Sequence, residues 1–90
     1  MPNWKDKIVV VTGGSEGLGL AIVQAFASQG AMVISLARDK ERNESAAKSF
    51  TDEGWRVTPM SADVTDDESI HAVVGQVVDQ FGGIDVWVNN

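Results

Sequence analysis

The chain has 90 residues, and 13 acidic side chains against 7 basic ones give a formal net charge of −6. That balance argues against nucleic acid as a partner, because a phosphate backbone needs a basic surface. The lack of cysteine and the single histidine argue against a disulfide framework or a thiolate or histidine metal centre, and 43% hydrophobic with 22% charged residues is the composition of one small globular domain.

The opening "MPNWKDK" leads straight into an apolar stretch with no secretory pattern, and the longest strictly apolar run, residues 8–11, is too short to span a bilayer. A soluble, cytoplasmic protein is expected. Residues 7–12 are β-branched and apolar, like a strand buried on both faces. Four glycines then fall within "GGSEGLG". From Leu18 the apolar positions become Leu18, Ile22, Ala25 and Phe26, a helical spacing that Gly30 ends.

Residues 31–37 ("AMVISLA") read as a second buried strand. Residues 39–53 are polar, with a weak apolar stripe of Ala46, Ala47 and Phe50, and predict a solvated helix ended by Gly54. Residues 55–62 ("WRVTPMSA") predict a third strand. Pro59 has no N–H for a ladder, so this strand belongs at a sheet edge. Ile70, Val73, Val74, Val77, Val78 and Phe81 define the clearest helix, with "TDDE" (Thr65 to Glu68) as its capping box. A fourth strand starts at Ile84. Trp4 and Trp55 are expected to cover the ends of the sheet, Trp87 to be core or an exposed edge, and His71 to be solvated.

The alternation β-α-β-α-β-α-β predicts an α/β, Rossmann-type three-layer sandwich: a parallel sheet, helices on both faces, right-handed crossovers. Ligands in such sheets sit at the carboxyl ends of the strands, where the glycines lie. Gly13 turns the chain out of the strand. Gly17 lets backbone approach a ligand, and Gly19 lets the new helix pack closely. The helix N-terminus then directs unpaired amides at the turn, an anion site. The spacing is T-G-x-x-x-G-x-G, at Thr12, Gly13, Gly17 and Gly19, rather than G-x-G-x-x-G, and no Gly-Lys-Ser/Thr of a P-loop follows.

Three motifs in order resemble the short-chain dehydrogenase/reductase family: "TGGSEGLG", then Asp63-Val64 after the third strand, then Asn89-Asn90 after the fourth. The resemblance covers residues 1–90 and implies the amino-terminal, dinucleotide-binding part of a domain of about 250 residues, truncated, with strand order 3-2-1-4. It implies that the glycine turn, with amides near Leu18, holds the cofactor's pyrophosphate. Asp63 then accepts from the adenine amino group, the Val64 amide reaches a ring nitrogen, and Asn89 and Asn90 brace the sheet and line the ribose.

The second strand ends at Ala37, followed by Arg38, where NAD-binding domains place an acidic residue on the ribose 2′-hydroxyl. A guanidinium there suits a 2′-phosphate and favours NADP over NAD. Asp39 could serve the ribose instead. Glu16 stands where many NADP-preferring relatives carry a basic residue, and could pair with Arg38 or repel a phosphate. Ser15 is a further candidate contact to the ribose or its phosphate.

The family's reaction is hydride transfer between nicotinamide and a carbonyl or alcohol, using a serine and a Tyr-x-x-x-Lys pair. The chain contains no tyrosine, so no catalytic residue is assigned within it. The expectation is the NAD(P)-binding portion of an oxidoreductase, inactive alone, whose fourth strand is left as a bare edge prone to self-association. The alternative is a self-standing, non-catalytic nucleotide-binding or interaction module. A methyltransferase-like Rossmann domain is disfavoured by the glycine spacing.

Overall fold

The structure, a computed structural model, describes residues 3–90; Met1 and Pro2 of the polar opening lie outside the described residues. Seven elements follow in order: β1 (Ile8–Thr12), α1 (Gly17–Ser28), β2 (Met32–Ala37), α2 (Lys40–Thr51), β3 (Arg56–Ser61), α3 (Asp67–Phe81) and β4 (Val86–Val88). All strand pairs are parallel, in the order β3-β2-β1-β4. Pro59 therefore lies in an outer strand, as its missing N–H requires.

Two apolar layers hold the sheet. Val9, Val11 and Val33 point to one face and meet Val23 and Ala27 of α1 and Ala47 and Phe50 of α2. Val10, Ile34 and Leu36 point to the other and meet Val73 and Val77 of α3. Alternate residues of one strand feed both layers, which is why β1 has no polar face. Trp4 sits edge-on to Phe26 at 4.9 Å and Trp55 stacks on Phe50 at 5.8 Å, both against the first layer. Trp87 joins the second layer half-buried, and His71 is exposed.

Three local expectations are corrected. The buried face of α1 is Gly19, Val23 and Ala27, while Leu18 and Ala25 are exposed. Ile22 and Phe26 of the expected stripe do pack, half-buried, against the first layer, and Gly19 is buried because a side chain there would meet the Gly13 carbonyl. The cap of α3 is Asp66, whose carboxylate accepts from the Glu68 amide at 3.0 Å. Thr65 is diverted, since its hydroxyl and amide both donate to Asp63 Oδ1, at 2.6 and 2.9 Å. The fourth strand is shorter than expected because Asp85 acts as a clasp: its N–H donates to Ile8 O and its carboxylate accepts from Ile8 N–H, each at 2.8 Å.

Candidate functional site

A cleft of about 380 Å³ opens at the carboxyl end of the sheet. The glycine turn supplies Gly13, Ser15 and Glu16, and the end of β2 supplies Leu36, Ala37, Arg38 and Asp39. Arg42 enters from α2, Ala62 and Val64 follow β3, and Asn90 follows β4. Thr12, Gly17, Leu18, Gly19, Asp63 and Asn89 lie outside this lining.

The turn's shape follows from close contacts. A Cβ on Gly19 would run into the Gly13 carbonyl, 2.6 Å from its carbon. The first turn of α1 thus packs on the glycine turn itself. Gly17 has φ +58°, with nothing within 4 Å of where a Cβ would stand. The residue before α1, Glu16, makes no side-chain cap, and the first helical bond there runs from Leu20 N to Glu16 O at 3.3 Å. The amides of Gly17, Leu18 and Gly19 precede that bond, at the positive end of the helix dipole.

Thr12 and Asn90 tie this turn to β4. The buried Thr12 hydroxyl donates to Val88 O at 3.4 Å and accepts from the Asn90 amide at 3.0 Å, and Asn90 Nδ2 donates to Gly13 O at 3.4 Å. Asn89 is exposed, its Oδ1 accepting from Trp87 Nε1 at 2.9 Å. Asp63 is fixed by Thr65, whose hydroxyl and amide hold its carboxyl below the ordinary carboxylate value, with a smaller pull from Arg38. Its other oxygen, Oδ2, stands 4.0 Å from Arg38 Nη2.

Two residues that the sequence reading passed over matter here. Arg42, not Arg38, is the partner of Glu16. It lines the cleft with Arg38, although Arg38 lies before the cap of α2 and Arg42 lies within the helix. Asn43 is buried to 1% exposure and binds three groups. It accepts from the Ser35 hydroxyl at 2.8 Å and donates to Ser35 O at 2.9 Å and Met60 O at 3.2 Å. Ser35 Oγ lies directly behind Gly14. A buried polar knot therefore links the glycine turn, β2, β3 and the start of α2. Asp39 caps α2 through the Arg42 amide at 3.1 Å.

The short chain dehydrogenase family matches residues 7–90. The chain belongs to this family. An oxidoreductase of Thermotoga maritima is 39% identical over 86 residues, covering 96% of this chain and 34% of its own length. The 3-oxoacyl-[acyl-carrier-protein] reductase of Vibrio cholerae is 39% identical over 88 residues, 98% of this chain and 35% of its own. L-sorbose reductase from Gluconobacter frateurii, solved with NADPH and L-sorbose, superposes with a TM-score of 0.93 at 42% identity, over 98% of this chain and 34% of that one. The chain thus spans about a third of the length of these short-chain dehydrogenase relatives. Among the described residues no helix is long and apolar enough to cross a membrane, and no acidic, histidine or cysteine group could hold a metal ion.

Proposed function

We propose that residues 1–90 form the amino-terminal, dinucleotide-binding part of an oxidoreductase that moves a hydride between a nicotinamide cofactor and a small carbonyl or alcohol, with NADP preferred over NAD. The observation that carries this reading is the uncapped start of α1 behind open space at Gly17, beside a cleft edged by two guanidiniums. Amides and arginines are donors suited to a pyrophosphate and a 2′-phosphate. The relative solved with NADPH supports the same cofactor class.

Within this reading the amides of Gly17, Leu18 and Gly19 bind the pyrophosphate. Ser15 and Arg38 meet the ribose and its 2′-phosphate. Asp63 Oδ2, left free by the Thr65 bonds on Oδ1, and the Val64 amide meet the adenine. Asn89 and Asn90 border the ribose, with Asn90 and Thr12 holding the turn in place. Bound nicotinamide supplies or takes the hydride. With no tyrosine in the chain, the family's Tyr-x-x-x-Lys acid/base pair has no counterpart in these residues, so they bind and orient rather than turn over substrate.

Calorimetry with NADPH and NADH tests the reading. Arg38 is 75% exposed and screened, so Arg38→Ala should weaken NADPH by about tenfold, the low end for a charge-assisted contact, and leave NADH nearly unchanged. Equal losses for the two cofactors reject the NADP assignment, and no binding of either rejects the function.

A further inference from the structure

We infer that Arg42 is a second guanidinium for the cofactor's 2′-phosphate, and that Glu16 competes with that phosphate for it. The inference rests on the proposed dinucleotide site and adds the device that sets its selectivity.

Glu16 stands before α1 but does no capping. Its carboxylate instead crosses the cleft mouth to Arg42 Nη1 at 2.5 Å, joining residues 26 positions apart. Both side chains are more than half exposed. An exposed pair of this kind adds little to stability, because ordering two long side chains offsets a screened attraction. The fold therefore does not depend on it, and the pair is free to exchange partners.

Position favours exchange. The Arg42 amide is held by Asp39, and the next residue, Asn43, is locked in the buried knot. The root of Arg42 is fixed while its guanidinium reaches the cleft. Arg38, at the other end of the same segment, is only loosely engaged, 4.0 Å from Asp63. The cleft edge thus carries Arg38 and Arg42 against Glu16 and Asp39, with no net formal charge. A phosphate of charge about −1.5 to −2 is a stronger, bidentate partner for a guanidinium than a carboxylate. It must nevertheless displace a carboxylate tethered on the opposite wall. Glu16 therefore lowers affinity for 2′-phosphorylated dinucleotides while leaving unphosphorylated ones almost untouched.

The test is calorimetric titration with 2′,5′-ADP and 5′-AMP, which differ only in the 2′-phosphate. Glu16→Gln should tighten 2′,5′-ADP by about fivefold and change 5′-AMP by less than about twofold, as suits an exposed charge pair. Arg42→Ala should weaken 2′,5′-ADP by about fivefold. In the double variant the gain from Glu16→Gln should vanish, since its beneficiary is gone. A gain that persists without Arg42 overturns the inference, because Glu16 then acts by repulsion at large. Unchanged 2′,5′-ADP affinity in Arg42→Ala overturns it too. In both cases the binding of 5′-AMP leaves the dinucleotide site standing, whereas a parent chain that binds neither nucleotide refutes both readings. Far-UV circular dichroism confirms that the variants are folded, and Arg42→Lys should recover only part of the loss because it lacks the planar fork.

Discussion

Gly19→Ala should separate the glycine turn from the helix that completes it. The added methyl would collide with the Gly13 carbonyl, standing 2.6 Å from its carbon and 2.7 Å from Asn90 Nδ2. Reaching the 3.4 Å of ordinary contact with that carbon alone requires turn and helix to part by 0.8 Å. The obstacle is backbone, with no rotamer to yield, and it accepts a hydrogen bond from Asn90. The cost should therefore lie near the top of the overpacking range, about 3 kcal/mol. That is a large part of the roughly 5–10 kcal/mol available to a domain of this size. A displacement near 1 Å also misplaces the amides at the start of α1, so NADPH affinity should fall by about a hundredfold. Gly17→Ala is the control: with nothing nearby, its cost should be the about 1–2 kcal/mol of a left-handed alanine. Urea unfolding followed by tryptophan fluorescence, with calorimetry on the same samples, measures both effects. A Gly19→Ala chain within 1 kcal/mol (about fivefold in the folding equilibrium) of the parent, and binding NADPH equally well, would show the packing argument to be wrong.

Asn43→Leu should destabilise by about 2–3 kcal/mol, since it strands the buried Ser35 hydroxyl, but Ser35→Ala in the same chain should recover part of that loss; strictly additive effects in urea titrations would deny the coupling. Asp63 titrates below the ordinary 3.8 because Thr65 bonds to its ionised form. Its contribution to stability is therefore fully present above 3.8 and is lost only as pH falls through the lower folded value; carboxyl-carbon NMR of a Thr65→Ala variant should show the Asp63 midpoint moving up. The 90-residue chain taken alone, which holds no tyrosine, should show no NADPH oxidation with a panel of carbonyls, and turnover above a heat-killed control would overturn the reading that these residues only bind and orient. The same chain should self-associate through β4, which pairs with β1 on one side only and whose residues are half-buried; a monomer in sedimentation with strongly protected Val86–Val88 amides would refute this.

Period and punctuation made the architecture legible. The β-branched runs and the helical spacings between them led to all seven elements, and Pro59 put β3 at an edge, while the sheet order 3-2-1-4 was implied by the family resemblance. Legibility failed where side chains choose among neighbours. Thr65 and Asp66 are both competent caps, and only the position of Asp63 decides that Thr65 is taken and Asp66 is free. Glu16 was expected to pair with Arg38 or repel a phosphate, and it pairs instead with Arg42, a residue of α2. Gly19 and Ala27 on the buried face of α1 carry little apolar signal, so only Val23 of its three buried residues was marked by hydrophobicity. Asn43 reads as one more polar residue of a solvated helix, and nothing local shows that Ser35 and two carbonyls await it.

The polar knot has an evolutionary corollary. Ala37 and Asn43 are both buried, and every residue between them, from Arg38 to Arg42, is exposed. The stretch that edges the cleft is thus suspended between two anchors that do not rely on its composition. On the proposed function, changes within it should alter nucleotide choice without disturbing the sheet, so a change of cofactor should need no passage through an unstable intermediate. Asp39 is the one member with a structural duty, and serine or asparagine could discharge it equally well. A library randomised from Arg38 to Arg42 should accordingly yield mostly folded proteins with widely different nucleotide preferences.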